Sequence, residues 1–324
     1  MSGSELHVVI GAGGASGRLV VRELRRQGHP VRAVTRNGRD VGTAGVELVA
    51  ADALDADAMT AACRGARTVY FCAMPVLARW SADFPVLTDS LLIAAARAGA
   101  RLVYADDTWM YGRVPGPMTA DTPYRPVSGK GILRAWLAER ILRAGDAGRL
   151  PVSIVRAGEL YGPGVQSMIA GNVFNAAARG QTVHWFGDPD QPLTPTYIGD
   201  FAGALAAVGV RDTAMARTWH VPHPQPTTGR AFVAEACAQA GTRLRLFAHG
   251  TRQLRLLGAA VPLARAGAEL VYQFEQPFVV DGSRAAARFG LSATPYAEGI
   301  AATLAKDGVG PDPVRAAERE RARA

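Results

Sequence analysis

The chain is almost without lysine. Of its 36 lysine and arginine residues only Lys130 and Lys306 are lysine, so the net charge of +8 is carried by arginine. Those arginines are spread through every segment, and no basic run is interleaved with aromatics, which argues against a nucleic-acid surface. A basic field of this kind still attracts an anionic cofactor. Cysteine is scarce: Cys63, Cys72 and Cys237 lack metal-ligand spacing and are too few for a disulfide framework. The six histidines form no cluster, so no metal is expected. No apolar run approaches the ~20 residues of a membrane span, and strand-like sequence by Leu6 leaves no room for a signal peptide. The expectation is a cytoplasmic protein with neither nucleic acid nor membrane as partner.

What is present is an alternation. Short β-rich runs at His7–Ile10, Pro30–Thr35, Val46–Ala50, Thr68–Cys72, Arg101–Ala105 and Pro151–Arg156 are separated by amphipathic stretches near Ala15–Gln27, Asp55–Cys63, Asp83–Ala98 and Ile132–Ala144. Strands alternating with helices predict an α/β fold, a doubly wound parallel sheet covered on both faces. Right-handed crossovers place every strand-to-helix loop on one edge, where ligands bind. Residues 1–165 read as this domain. Residues 166–307, with joints such as Gly187-Asp188-Pro189 and Pro222-His223-Pro224, read as a smaller, mixed substrate-binding lobe plus returning elements of the main sheet. Residues 308–324 are poor in apolar side chains and are expected to be disordered.

The first strand runs straight into Gly11-Ala12-Gly13-Gly14-Ala15-Ser16-Gly17. Gly11 allows a sharp turn off the strand, Gly14 lets backbone approach a pyrophosphate, and Gly17 lets the next helix pack closely. That helix turns its N-terminal N–H groups, from Ala15 and Ser16 onward, toward the anion. Glycines at this spacing between a first strand and a first helix are the Rossmann dinucleotide signature. The second strand ends in Thr35-Arg36, where an NAD site would carry an acid for the ribose 2′-hydroxyl. An arginine suits a 2′-phosphate instead, so NADP is the expected cofactor.

Further motifs resemble those of the extended short-chain dehydrogenases/reductases, a family that includes nucleotide-sugar epimerases and dehydratases. Gly11, Gly14 and Gly17 match its glycine spacing; Asp52-Ala53 lies where its adenine-side acid follows the third strand; Ala73-Met74-Pro75 lies where its backbone skirts the cofactor. Met110-Tyr111-Gly112, Arg156 to Gly164, and Tyr197-Ile198-Gly199-Asp200 resemble later stretches, so the likeness runs to about Asp307. It implies a Tyr-x-x-x-Lys pair on one helix. Lys130 matches the lysine, as a contact to the nicotinamide ribose, but Pro126 stands where the tyrosine belongs. Proline favours a first helical turn, so the helix is expected to begin there. The family's catalytic Ser or Thr is also displaced, Asp107 taking its position with Thr108 next. Tyr111, Tyr124, Tyr161, Asp106 and Asp107 are the candidates for the missing acid.

Pro75 to Trp80, Trp109 and the His184-Trp185 pair are expected to converge on an apolar, aromatic pocket, with Tyr161 at its side. Such a pocket suits a small hydrophobic molecule better than a sugar nucleotide. The leading reading is an NADPH-dependent oxidoreductase acting on a carbonyl or imine through Lys130, with Tyr111, Asp107 or a water giving the proton. The alternatives are an NADP(H)-binding sensor without turnover, and an epimerase/dehydratase with a rebuilt site. The resemblance also implies a homodimer through the helices at Asp83–Ala98 and Ile132–Ala144.

Overall fold

The structure is a computed structural model that describes residues 5–148, 150–211, 217–250 and 267–306; the tail expected to be disordered lies outside them. In chain order the strands are β1 Leu6–Ile10, β2 Val31–Thr35, β3 Glu47–Ala50, β4 Ala66–Phe71, β5 Arg101–Asp106, β6 Val152–Arg156, β7 Leu160–Tyr161, β8 Val183–Phe186, β9 Pro192–Leu193, β10 Thr196–Tyr197, β11 Arg217–His220, β12 Thr227–Thr228 and β13 Leu246–His249. The α-helices are α1 Ala15–Arg26, α2 Ala56–Ala62, α3 Trp80–Arg97, α4 Gly129–Asp146, α5 Ala170–Arg179, α6 Ile198–Val210, α7 Gly229–Gln239, α8 Ser283–Phe289 and α9 Tyr296–Lys306.

Seven strands pair in the order β3-β2-β1-β4-β5-β6-β11, every pairing parallel. The order reverses between β1 and β4, which opens a crevice at the carboxyl ends of the strands. Successive side chains of a strand point to opposite faces, and both faces are apolar. Val9 and Tyr70 face Val20, Val21 and Leu24 of α1 and Phe201 and Leu205 of α6. Val8, Ile10, Val69 and Phe71 face Met59 of α2, Leu87 and Leu91 of α3 and Ile141 of α4. Burial of each such side chain contributes roughly 1.5–3 kcal/mol, which makes the packed face, more than helix propensity, the reason these helices stay in place.

The sixth and seventh strands of the main sheet are joined through a second cluster. Tyr161, Phe174, Trp185, Phe232 and Ile300 pack together from β7, α5, β8, α7 and α9, with short pairs β7–β10, β8–β13 and β9–β12 at the margin. These elements form a second packed cluster, and β11 returns to the main sheet beside β6.

Under the carboxyl edge lies a buried polar network. The Arg156 guanidinium, fully buried, donates to Asp106 Oδ2 at 3.1 Å, to Tyr111 Oη at 2.6 Å and to Tyr124 Oη at 2.6 Å. Tyr111 Oη lies 2.7 Å from His220 Nε2, and His220 Nδ1 lies 3.1 Å from the Met118 carbonyl. A carbonyl only accepts, so Nδ1 carries the imidazole proton and Tyr111 donates to Nε2. Burial, followed by the Arg156 charge, pushes His220 down to about 3, which keeps it neutral and able to accept.

A histidine held neutral by the fold contributes stability that is present above its unfolded value near 6.5. That contribution is lost as pH falls toward the folded value, because the unfolded chain then binds more protons. Between pH 6 and pH 4 His220 should therefore add a slope of up to about 1.4 kcal/mol per pH unit. Denaturant titrations of the native chain and of His220→Gln at several pH values check this. The variant should lose that part of the slope, and identical slopes would contradict the neutral assignment.

Candidate active site

The glycine loop has the geometry of an anion cradle. Gly11 has φ +77°, and a Cβ there would lie 2.5 Å from the Ala73 backbone nitrogen and Cα. A Cβ on Gly17 would strike the Gly11 carbonyl. These two glycines thus bring β1, the turn after β4 and the start of α1 into direct backbone contact, which any side chain would prevent. Ala12 and Gly17 are buried while Gly13 and Gly14 are exposed, so the loop is anchored at both ends and open in the middle. No side chain caps α1 at Gly14 and no acid lies in its first turn, leaving its positive end for an external anion. Ala15 and Ser16, half-buried, form that first turn.

Around this loop stand the other dinucleotide candidates. Arg36 is exposed immediately after β2, within the field of Asp83. The Arg79 guanidinium holds that carboxyl below the usual range mainly by hydrogen bonding, with contacts of 2.7–3.1 Å. Asp52 follows β3, exposed, and its Oδ1 accepts from Leu54 N at 3.1 Å. Ala53 packs on the sheet. Ala73 lies against Gly11, and Met74 next to it is 64% exposed.

On the other side of the switch point, α4 begins at Gly129, three residues later than Pro126. Ser128 caps it, its Oγ accepting from Gly131 N at 3.0 Å. A side-chain cap outweighs proline's first-turn preference, so Pro126 lies outside the helix and Lys130 lies in its first turn. The Lys130 ammonium pairs with Glu269.

Asp107 follows β5. Its Oδ1 accepts from Trp109 N at 2.9 Å, and its Oδ2 lies 2.9 Å from Arg134 Nε. Burial, aided by the charge of Asp106 and opposed by Arg134, raises this carboxyl to about 7. Arg134 also reaches Asp106 Oδ1 at 3.5 Å and lies over the rings of Phe84 and Trp80, at 4.4 and 5.1 Å. Trp80 and Trp109 stack with centroids 5.8 Å apart, and Trp80 Nε1 donates to the Pro75 carbonyl at 3.0 Å. Pro75, Trp80 and Trp109 are thus brought together, with Trp80 itself buried against Phe84 and Leu137.

Four of the expected site residues lie elsewhere than at this wall. Tyr111 is fully buried, its hydroxyl taken by Arg156 and His220, and burial pushes it to about 12; it cannot reach an exposed substrate. Thr108 is 1% exposed and equally withdrawn. Tyr161 lies inside the aromatic core of the second lobe, with Phe232 at 5.0 Å. His184 does not join the wall: it stands on β8, exposed, with Nδ1 2.8 Å from His249 Nε2 of β13. Its neighbour Trp185 packs on Phe274. Two site residues escaped the sequence reading. Arg134 was legible in principle, being one turn beyond Lys130 on one helix face. Glu269 carried no local signal.

The chain is similar to several known proteins. A family model described as the NAD dependent epimerase/dehydratase family covers residues 7–218. The decarboxylating sterol-4-alpha-carboxylate 3-dehydrogenase ERG26 of Candida albicans is 27% identical over 137 residues, which is 40% of this chain and 35% of that protein. The chain thus matches about a third of that relative's length. Among solved structures, gox2253 has a TM-score of 0.77 at 18% identity, covering 93% of this chain and 97% of its own. The UDP-glucuronic acid 4-epimerase from Bacillus cereus, solved in complex with NAD, has a TM-score of 0.76 at 15% identity, covering 94% and 99%. These two likenesses show the fold. The family model spans well over half of the chain and includes the glycine cradle, the switch point and the first turn of α4: this chain belongs to the NAD dependent epimerase/dehydratase family.

Proposed function

We propose that the chain is an NADPH-dependent oxidoreductase that reduces a C=O or C=N bond of a small hydrophobic molecule. The observation that carries the reading is Asp107: a carboxyl raised to about 7 stands at the carboxyl end of β5, beside the stacked Trp80 and Trp109. A carboxyl titrating near neutrality is matched to giving up a proton at working pH. The nicotinamide, when bound, supplies the hydride. Lys130 holds its ribose, and the Asp107 carboxyl passes its proton to the developing oxygen or nitrogen anion. Solvent then returns a proton to Asp107, whose side chain is 17% exposed.

Hydrophobic preference is supported by the stacked Trp80 and Trp109 and by the exposed Met74 and Val76, which lie just before Trp80 in sequence. The name of the Candida relative, a sterol-carboxylate dehydrogenase, points to the same class of molecule. Preference for NADP(H) is supported by Arg36 in place of an acid after β2.

NADPH consumption with a panel of hydrophobic ketones and imines tests the activity, and nucleotide sugars serve as the opposing panel. Turnover should fall as pH rises through about 7, where Asp107 loses its proton. Asp107→Asn should lower it roughly 100-fold or more while NADPH still binds. Turnover confined to nucleotide sugars, or an unimpaired Asp107→Asn, would contradict the reading. For the cofactor, Arg36 should favour NADPH over NADH by roughly 1.5–3 kcal/mol, the scale of a hydrogen bond to a charged group. Fluorescence titration of both cofactors into native protein and Arg36→Asp should show that preference and then its reversal; equal affinities in the native protein would rule it out.

A further inference from the structure

Lys130 is one of only two lysines in a chain that otherwise uses arginine. Glu269 meets it twice: one carboxylate oxygen takes the ammonium, and the other accepts from the Lys130 backbone N–H at 3.3 Å. The lysine side chain is 12% exposed and the glutamate 31%. Holding this pair immobilises two long side chains.

The partner comes from far away in sequence, for the first turn of α4 holds no acid. The helix begins at Gly129, and Pro126 precedes it without a polar side chain. Glu269 instead heads a strap, residues 267–280, that is fastened across the site. Tyr272 Oη donates to the Trp109 carbonyl at 3.2 Å, and Arg113 pairs with Glu275 at 2.8 Å. Farther along, Val280 N donates to Thr194 Oγ1 at 2.9 Å. The first turn of α4 rests on the same Trp109 carbonyl, which would lie 2.6 Å from a Cβ on Gly131. The strap, the aromatic wall and the lysine thus share one anchoring point.

We propose that Glu269 is a positioning residue for the dinucleotide: it holds the Lys130 ammonium at the nicotinamide ribose and ties it, through the strap, to the Trp109 wall. An ammonium has three donors and can serve a carboxylate and ribose hydroxyls together. A lysine already fixed in place loses less freedom when the cofactor arrives. The inference rests on the reading that Lys130 serves bound NADPH.

The test is a double-mutant cycle on NADPH affinity, read by fluorescence with native protein, Lys130→Met, Glu269→Gln, Glu269→Asp and the Lys130→Met/Glu269→Gln pair. Glu269→Gln should weaken binding about tenfold with an unchanged melting temperature, and Lys130→Met at least as much. The pair should bind no worse than Lys130→Met, since the glutamate acts through the lysine. Glu269→Asp should restore most of the affinity. Native-like binding by Glu269→Gln overturns the inference. So does tighter binding, which would make the carboxylate a competitor of the ribose, and so do losses that multiply in the pair. Failure of native protein to bind NADPH would bring down the cofactor reading first, before any variant is compared.

Discussion

The buried guanidinium of Arg156 is the constraint on which the carboxyl edge depends. A charge removed from water costs several kcal/mol unless it is paired and hydrogen-bonded. Arg156 meets that cost with Asp106 from the end of β5, Tyr111 from the turn beyond it and Tyr124 from the approach to α4. Tyr111 then donates a hydrogen bond to His220 at the end of β11, whose other nitrogen donates to the Met118 carbonyl. One side chain of β6 thereby joins β5, β11 and the loops that carry the chemistry. Removing one partner of such a set typically costs about 3–5 kcal/mol, since the others are left unpaired.

This network explains why neighbouring residues of one loop have opposite fates. Asp106 and Tyr111 face inward and are consumed by Arg156, whereas Asp107 turns toward Arg134 and keeps 17% of its side chain in solvent. The rigid layer lies beneath and the titrating group above it. The same division holds across the switch point, where Gly11 and Gly17 lock the loop by backbone contact and Gly13 and Gly14 stay open. An edge already held in shape can take up a dinucleotide without reorganising its frame.

Much of the frame was legible in the sequence because it obeys local rules. The six strands of the first half appear within two residues of their expected limits, since apolar runs bounded by glycine and charge have few other uses. The glycine cradle was legible because its spacing is dictated by contact. Less legible was anything decided by partners distant in the chain. Tyr111 and Tyr161 looked available by position, yet their burial depends on His220 and Phe232, more than 70 residues away. The start of α4 was misjudged because a serine cap two residues after Pro126 prevailed over the proline. His184 faces His249 through a parallel pairing that periodicity does not reveal. Glu269 pairs across 139 positions with no motif to announce it.

The central claim is that this edge is built to receive NADPH, with its phosphates on the exposed glycines and its ribose at the first turn of α4. A crystal structure of the NADPH complex tests it most directly. The account predicts the pyrophosphate against the backbone of Gly13 and Gly14, the 2′-phosphate beside Arg36, and the nicotinamide ribose within hydrogen-bonding distance of Lys130. A dinucleotide bound away from the glycine loop, or one whose ribose leaves Lys130 untouched, would contradict it.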